Sequence, residues 1–220
     1  MTETASIAVD RVAPANTAIA RATLYNCLAA AFGDPPTARS AAAWAKMQPS
    51  LPAAPLEDVQ RAYTALLVGP GQGYVPPYAS IYLHPAESGK RQLWGPAAEA
   101  VEALYTEAGL AIAPGQPRVP DHLALELQFM QHLCAREADA EVRGDVTEAG
   151  AWRERQQAFL RVHLWPWLPR FASRLADAAT AAHPIYRGLT RLLLAFVHSD
   201  LDAPGSPLEP VRPASATTEE

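Results

Sequence analysis

Asp121 and His122 stand side by side in the sequence, with Glu126 one helical turn further on. An imidazole beside a carboxylate is the pairing that general acid–base chemistry uses, and a small hydrolase is one function it could serve. Such an enzyme also needs a nucleophile or a metal. No serine or cysteine sits in a nucleophile motif, and His122, His132, Cys134, His163, His183 and His198 form no short-spaced ligand set. The other chemistry open to these residues is recognition. A carboxylate in the first turn of a helix accepts amide hydrogen bonds and meets the positive helix end, so Asp121 reads either as a cap or as a ligand-facing acid. His122 and Glu126 share a helix face, and a hydrogen bond between them would fix the ring.

A second candidate lies forty residues earlier, in Gly69-Pro70-Gly71-Gln72-Gly73-Tyr74-Val75-Pro76-Pro77-Tyr78-Ala79-Ser80-Ile81-Tyr82. Its glycines and prolines deny it a helix interior, yet a solvated linker has no need of its tyrosines. An ordered aromatic loop in a helical chain fits a peptide-recognition surface. Tyr78, Tyr82 and Trp94 would offer apolar faces with polar rims. The alternative is that the tyrosines pack the loop onto the bundle, with Pro77 setting the chain direction and Ser80 bonding to local backbone. The glycine triplet lacks the Lys-Ser/Thr of a phosphate-binding loop and follows no strand, so nucleotide binding is not expected.

The charges divide along the chain. Asp121, Glu126, Glu137, Asp139, Glu141, Asp145 and Glu148 face only Arg136 and Arg143, whereas seven arginines from Arg153 to Arg191 face Glu154 and Asp177. The acidic half would suit a cationic peptide through desolvated arginine–carboxylate pairs, or the two halves pair with each other on neighbouring helices. The formal net charge of −5 argues against nucleic acid as a partner. Cys27 and Cys134, far apart, indicate a reducing compartment. No secretory signal is read at the N-terminus, no Arg-Arg pair occurs, and no apolar run approaches the ~18 residues of a membrane span. A cytoplasmic protein without stable membrane insertion is expected.

The elements that must position these residues are helices. With 220 residues, 49% of them hydrophobic, the chain fits one domain with a core of its own. Residues 1–15 read as a flexible N-terminus, 16–202 as an all-α bundle, and 203–220 as a disordered Pro/Ser/Thr/Glu-rich tail. Asn16 or Thr17 would cap a first helix with Ile19, Ala22, Leu24, Leu28 and Phe32 inward, stopped by Gly33-Asp34-Pro35-Pro36. A short helix after Ser40 precedes one from Leu56 to Val68, with Val59, Ala62, Tyr63, Leu66 and Leu67 inward. The loop spans 69 to 92. Pro96 opens the next helix and Gly109 closes it. A long helix is predicted from Pro120 to Arg143, another from Glu148 to Leu164 burying Trp152, Phe159 and Leu160, a continuation through Leu175, and a last helix after His183-Pro184.

The two candidate segments resemble the GP…PPY-x-S-x-Y and PDH-x-x-x-EL-x-FM signatures of the TorD/DmsD family, cytoplasmic chaperones dedicated to molybdenum enzymes of the dimethyl sulfoxide reductase type. Tyr63 to Pro70, Leu93-Trp94-Gly95-Pro96, Ala108-Gly109-Leu110 and His163 to Pro169 extend the likeness over roughly residues 17 to 200. The resemblance implies an all-helical fold and no enzymatic activity or cofactor. It implies a partner, the precursor of a molybdenum-enzyme catalytic subunit with its twin-arginine leader, or, in the nitrate-reductase branch, a subunit that is not exported. Tyr78, Ser80, Tyr82, Trp94, Asp121, His122 and Glu126 become peptide-binding candidates, with Glu126 open to a purely structural role. Gly69, Pro70, Pro76, Pro77 and Pro120 become the scaffold of the loop. Arg118 departs from the family, which commonly has an acid there, and is left out of the site. A monomer or a homodimer exchanging segments through Pro114–Pro117 would both fit. Removing Asp121 or His122 is expected to weaken leader binding with melting nearly unchanged.

Overall fold

Most of the chain's apolar residues recur at helical spacing, and the computed structural model folds accordingly. It describes residues 14–47, 50–69, 71–83, 94–113, 119–179 and 183–202. Along these run α1 (Pro14–Gly33), α2 (Ala38–Met47), α3 (Leu56–Leu67), α4 (Ser80–Leu83), α5 (Pro96–Glu107), α6 (Leu123–Val142), α7 (Val146–Phe159), a π-helical turn (Leu160–Leu164), α8 (Leu168–Ala178) and α9 (Pro184–Asp202). The described residues contain no strand, and the fold is all-α. Residues 1–13 of the predicted N-terminus, the predicted tail 203–220, Pro70, Arg118 and the Pro114–Pro117 connector lie outside the described residues, as does the segment 84–93.

α6 is the axis of the bundle. Apolar residues run round it, and Leu123, Leu127, Phe129, Met130, Leu133, Cys134 and Ala138 are all buried, the pattern of a helix covered on several sides. α1 lies along one side of it and α7 along another. Small residues let α1 approach: Ala18, Ala22 and Ala29 are buried with Tyr25, Leu28 and Phe32, while Ile19 is 49% exposed. This corrects the expected inward stripe, in which Ile19 took a core position. The helix also begins at Pro14, ahead of the expected cap at Asn16 or Thr17.

The interior crossing of α1, α6, α7 and α9 is polar. Arg21 donates to Gln156 Oε1 (2.8 Å) and Asp200 Oδ1 (3.0 Å) and pairs with Glu137. Arg153 reaches the same Asp200 oxygen at 3.0 Å, and the Tyr25 hydroxyl donates to Asp200 Oδ2 at 2.7 Å. Gln156 donates to Glu137 (2.7 Å), and the Cys134 thiol donates to Gln156 Oε1 (3.4 Å). Each buried charge therefore meets an opposite charge or a donor, as burial demands.

The chain turns follow from local chemistry. Pro96 sits in the first turn of α5, where its missing N–H costs nothing. Gly109 and Gly144 close α5 and α6 at φ +73° and +74°, a left-handed conformation that glycine adopts without strain. Asp145 caps α7, its side chain accepting from the Glu148 amide at 2.9 Å. The π-helical turn, which the sequence reading passed over as α-helix, closes with Trp165 N–H donating to Leu160 C=O at 2.8 Å, just before Pro166. Trp152 is half-buried, not core, with the guanidinium groups of Arg155 and Arg136 4.5 and 5.4 Å from its ring.

Candidate functional site

The aromatic loop and the start of α6 meet. Tyr78 and His122 form an isolated antiparallel bridge, closed by Leu123 N–H to Pro77 C=O (2.9 Å) and Ala79 N–H to Asp121 C=O (3.0 Å). Their rings stand edge to face with centroids 5.0 Å apart. The prolines fit because each contributes only an acceptor, and each acceptor is taken. Tyr82 Oη donates to Pro76 C=O at 2.9 Å, and Tyr105 Oη donates to Pro120 C=O at 3.0 Å. Val75 N–H donates to Leu66 C=O at 2.8 Å, which ties the loop back to α3. The loop is not irregular throughout, since Ser80–Leu83 forms the short α4. At Gly69 an added Cβ would lie 2.8 Å from the Tyr74 ring, so the ring packs where only glycine leaves room.

The polar side chains are held from within. Asp121 Oδ2 accepts from the Ser80 amide at 2.7 Å and so tethers the loop to the residue before α6. His122, not Asp121, is the N-cap: its Nδ1 accepts from the Ala124 amide at 3.0 Å, which places any ring proton on Nε2. The expected His122–Glu126 pairing gives way to a longer-range bond, in which Trp167 Nε1 donates to Glu126 Oε2 at 3.2 Å. Glu126 Oε1 is buried with no partner among the described residues. Burial pushes the Glu126 carboxyl well up, against the Trp167 bond, and the neighbouring Asp121 adds to the rise. Asp121 is also raised by burial, opposed by the bond it accepts from the Ser80 amide. Both carboxyls at the base of the site are thus harder to ionise than they would be in water.

The structure brings Tyr78, Ser80, Tyr82, Asp121, His122 and Glu126 into one knot. Asp121 and Glu126 are fully buried, and Ser80, Tyr82 and His122 nearly so. Tyr78 is half-buried. Trp94 lies just before α5, 49% exposed and without a ring contact among the described residues. Pro76, Pro77 and Pro120 are buried within the knot and Gly69 is exposed at the loop's edge. Sequence reasoning missed Trp167, Phe171, Arg170 and Arg174. Trp167 stacks on Tyr82 (centroids 5.6 Å, 24°), Phe171 meets the same ring edge-on at 6.1 Å, Arg170 donates to Tyr82 C=O at 2.9 Å, and Arg174 lies 5.5 Å from its ring. The Trp165-Pro166-Trp167 run was the available signal, but nothing in its spacing points to Tyr82.

The acids of α6 and α7 are largely engaged within the fold. Glu137 pairs with Arg21, a residue outside both charged halves of the sequence, and Glu148 pairs with Arg143 and lies 3.8 Å from Arg136. Among the described residues no group of three His, Cys, Asp or Glu is placed to hold a metal ion, and no helix is long and apolar enough to cross a membrane.

Comparison with known proteins gives a consistent likeness. Residues 34–173 match the family model described as nitrate reductase delta subunit, more than half of the chain. The Chaperone protein TorD of Vibrio cholerae serotype O1 (strain El Tor Inaba N16961) is 32% identical over 124 residues, which is 56% of this chain and 52% of that protein. The same-named protein of Shewanella pealeana is 29% identical over 129 residues, 57% and 51% of the two chains. That of Psychrobacter sp. (strain PRwf-1) is 28% identical over 183 residues, 81% and 78%. The chain thus spans about half the length of the Vibrio and Shewanella relatives.

Proposed function

Because the chain belongs to the TorD/DmsD family, whose model carries the description nitrate reductase delta subunit, we propose that it is a cytoplasmic chaperone for the catalytic subunit of a molybdenum enzyme of the dimethyl sulfoxide reductase type. It binds the immature subunit through its twin-arginine leader and holds it back from export until the cofactor is in place. The observation that supports this most directly is the meeting of Tyr78 and His122 in one bridge, with rings 5.0 Å apart. A proline-stiffened loop locked onto a helix start is a preorganised surface, and preorganisation lowers the entropic cost of holding a flexible peptide.

Within this reading the residues divide by burial. Tyr78, the rim of His122 and the exposed Trp94 meet the leader's apolar segment. Asp121, Ser80, Glu126 and Tyr82 hold the rim in place from below. The chaperone acts by mass action, since a protein that binds only the unfinished subunit lowers its free concentration. The curated relatives carry the TorD name, which favours this client class over a nitrate-reductase subunit that stays in the cytoplasm.

Isothermal titration of the protein with a synthetic twin-arginine leader and with a double-lysine version tests it. Arginine-dependent binding is the expected result. Equal binding of both peptides, or none, would remove the leader from the mechanism. Tyr78→Ala should weaken the leader's binding by about 1–2 kcal/mol through lost apolar contact, and unchanged affinity would take the loop out of the site.

A further inference from the structure

Three of the six large apolar side chains that the described residues leave exposed gather at one end of the bundle. Ile19 and Val142, 49% and 75% exposed, line one cavity of about 360 Å³ between α1 and α6. Val146, 69% exposed, follows four residues after Val142, past the turn at Gly144. Ala22, Ala135 and Ala138 line the same cavity, so the side chains between the two helices are short and an apolar trough stays open. Single exposed aliphatics are ordinary, but a contiguous set opening on a cavity marks a surface that something covers.

The chain enters the fold at this end. Residues 1–13 lead into Pro14, the first residue of α1, and Ile19 lies about 7.5 Å further along the helix axis. The sequence of that leading segment carries Ile7, Ala8, Val9 and Val12. β-branched residues at alternate positions suit an extended chain, in which Ile7 and Val9 share one side, and a residue that precedes a proline is itself biased to extended backbone. The stretch from Ile7 to Pro14 spans up to about 23 Å. Asn26, the cavity's furthest residue on α1, lies about 18 Å along the helix from Pro14, so the whole trough is within reach. The other long segments outside the described residues fit less well by sequence: 84–93 has one large apolar residue, Leu93, and 203–220 spaces Leu208 and Val211 among four prolines.

We propose that the N-terminal arm of this chain, through Ile7 and Val9, seats in the trough between α1 and α6 and covers Ile19 and Val142. The short tether to Pro14 gives the arm an effective concentration on the order of millimolar, so contact by two aliphatic side chains competes well with any free partner. The patch is thereby withdrawn from water and from other chains.

Trypsin digestion of the full chain tests this. Release of the peptide ending at Arg11, followed by mass spectrometry, reports how often the arm leaves the trough. Ile7→Ser/Val9→Ser should speed that release at least about tenfold, because cleavage of a transiently opened segment tracks its open population. Ile19→Gln/Val142→Gln, from the other side of the contact, should do the same with melting nearly unchanged, both side chains being exposed. Should that variant melt early, the arm variant, which alters no described residue, decides. Release from the wild-type protein as fast as from the arm variant would overturn the proposal. So would a concentration-dependent dimer in sedimentation that Val142→Gln splits while release after Arg11 stays unchanged, since the patch would then be an interface between copies of this chain.

Discussion

Asp121 illustrates how a recognition candidate and a structural residue can be the same side chain. Its carboxylate is fully buried and holds the Ser80 amide at 2.7 Å. Removing it leaves that buried amide without an acceptor, so Asp121→Ala should cost about 1–3 kcal/mol of stability, visible as a lower urea midpoint. This revises the expectation of nearly unchanged melting, which assumed an exposed acid. Glu126 supplies a pH signature. Its carboxyl is raised by burial from the ordinary 4.5, so between that value and the folded one the native state binds more protons than the unfolded chain. Stability therefore falls as pH rises from about 4.5. Glu126→Gln keeps an acceptor for Trp167 and removes the titration. Urea midpoints of that variant at about pH 5 and about pH 8 should lie closer together than the wild type's, and an unchanged gap would assign the pH dependence to other groups.

At the level of elements, legibility tracked periodicity and backbone punctuation. The inward stripe of α3 was readable from its spacing, and the stop after α5 from Gly109, whose φ of +73° gives the choice of glycine its reason. Open space surrounds a Cβ there, so Gly109→Ala carries conformational strain alone, about 1–2 kcal/mol, measurable by thermal melting. What was not readable had no periodic signature. α4 is four residues long, too short to show a repeat. The N-cap fell to His122 and not to its acidic neighbour, because Asp121 is drawn to Ser80 by a contact forty-one residues distant in sequence. In α1 the alanines, not Ile19, face α6; which small residues meet a close neighbour depends on that neighbour's position. The candidate site was legible as two segments, but the partition between its buried base and reachable rim belongs to tertiary packing.

On the scale of the molecule, four helices are joined through a single polar crossing, and Cys134 reports on it. The thiol is buried against Gln156, and burial pushes its pKa up to about 12 despite the nearby Arg21. Thiolate is the reactive form, and an unfolded cysteine has a pKa of about 8.5, so Cys134 should be alkylated almost only when the bundle opens. Asp200 fixes that opening free energy. It receives Arg21 and Arg153 at 3.0 Å each and Tyr25 at 2.7 Å, and α9 ends two residues later. Asp200→Ala leaves two guanidinium groups short of a carboxylate in the interior, a loss of about 3–5 kcal/mol. Where reclosing outruns alkylation, about 3 kcal/mol raises the open population by roughly two orders of magnitude. Iodoacetamide labelling of Cys134 in Asp200→Ala should accelerate by that factor, while half-buried Cys27 accelerates less. Labelling of Cys134 at the wild-type rate would mean that the crossing does not hold the four helices together.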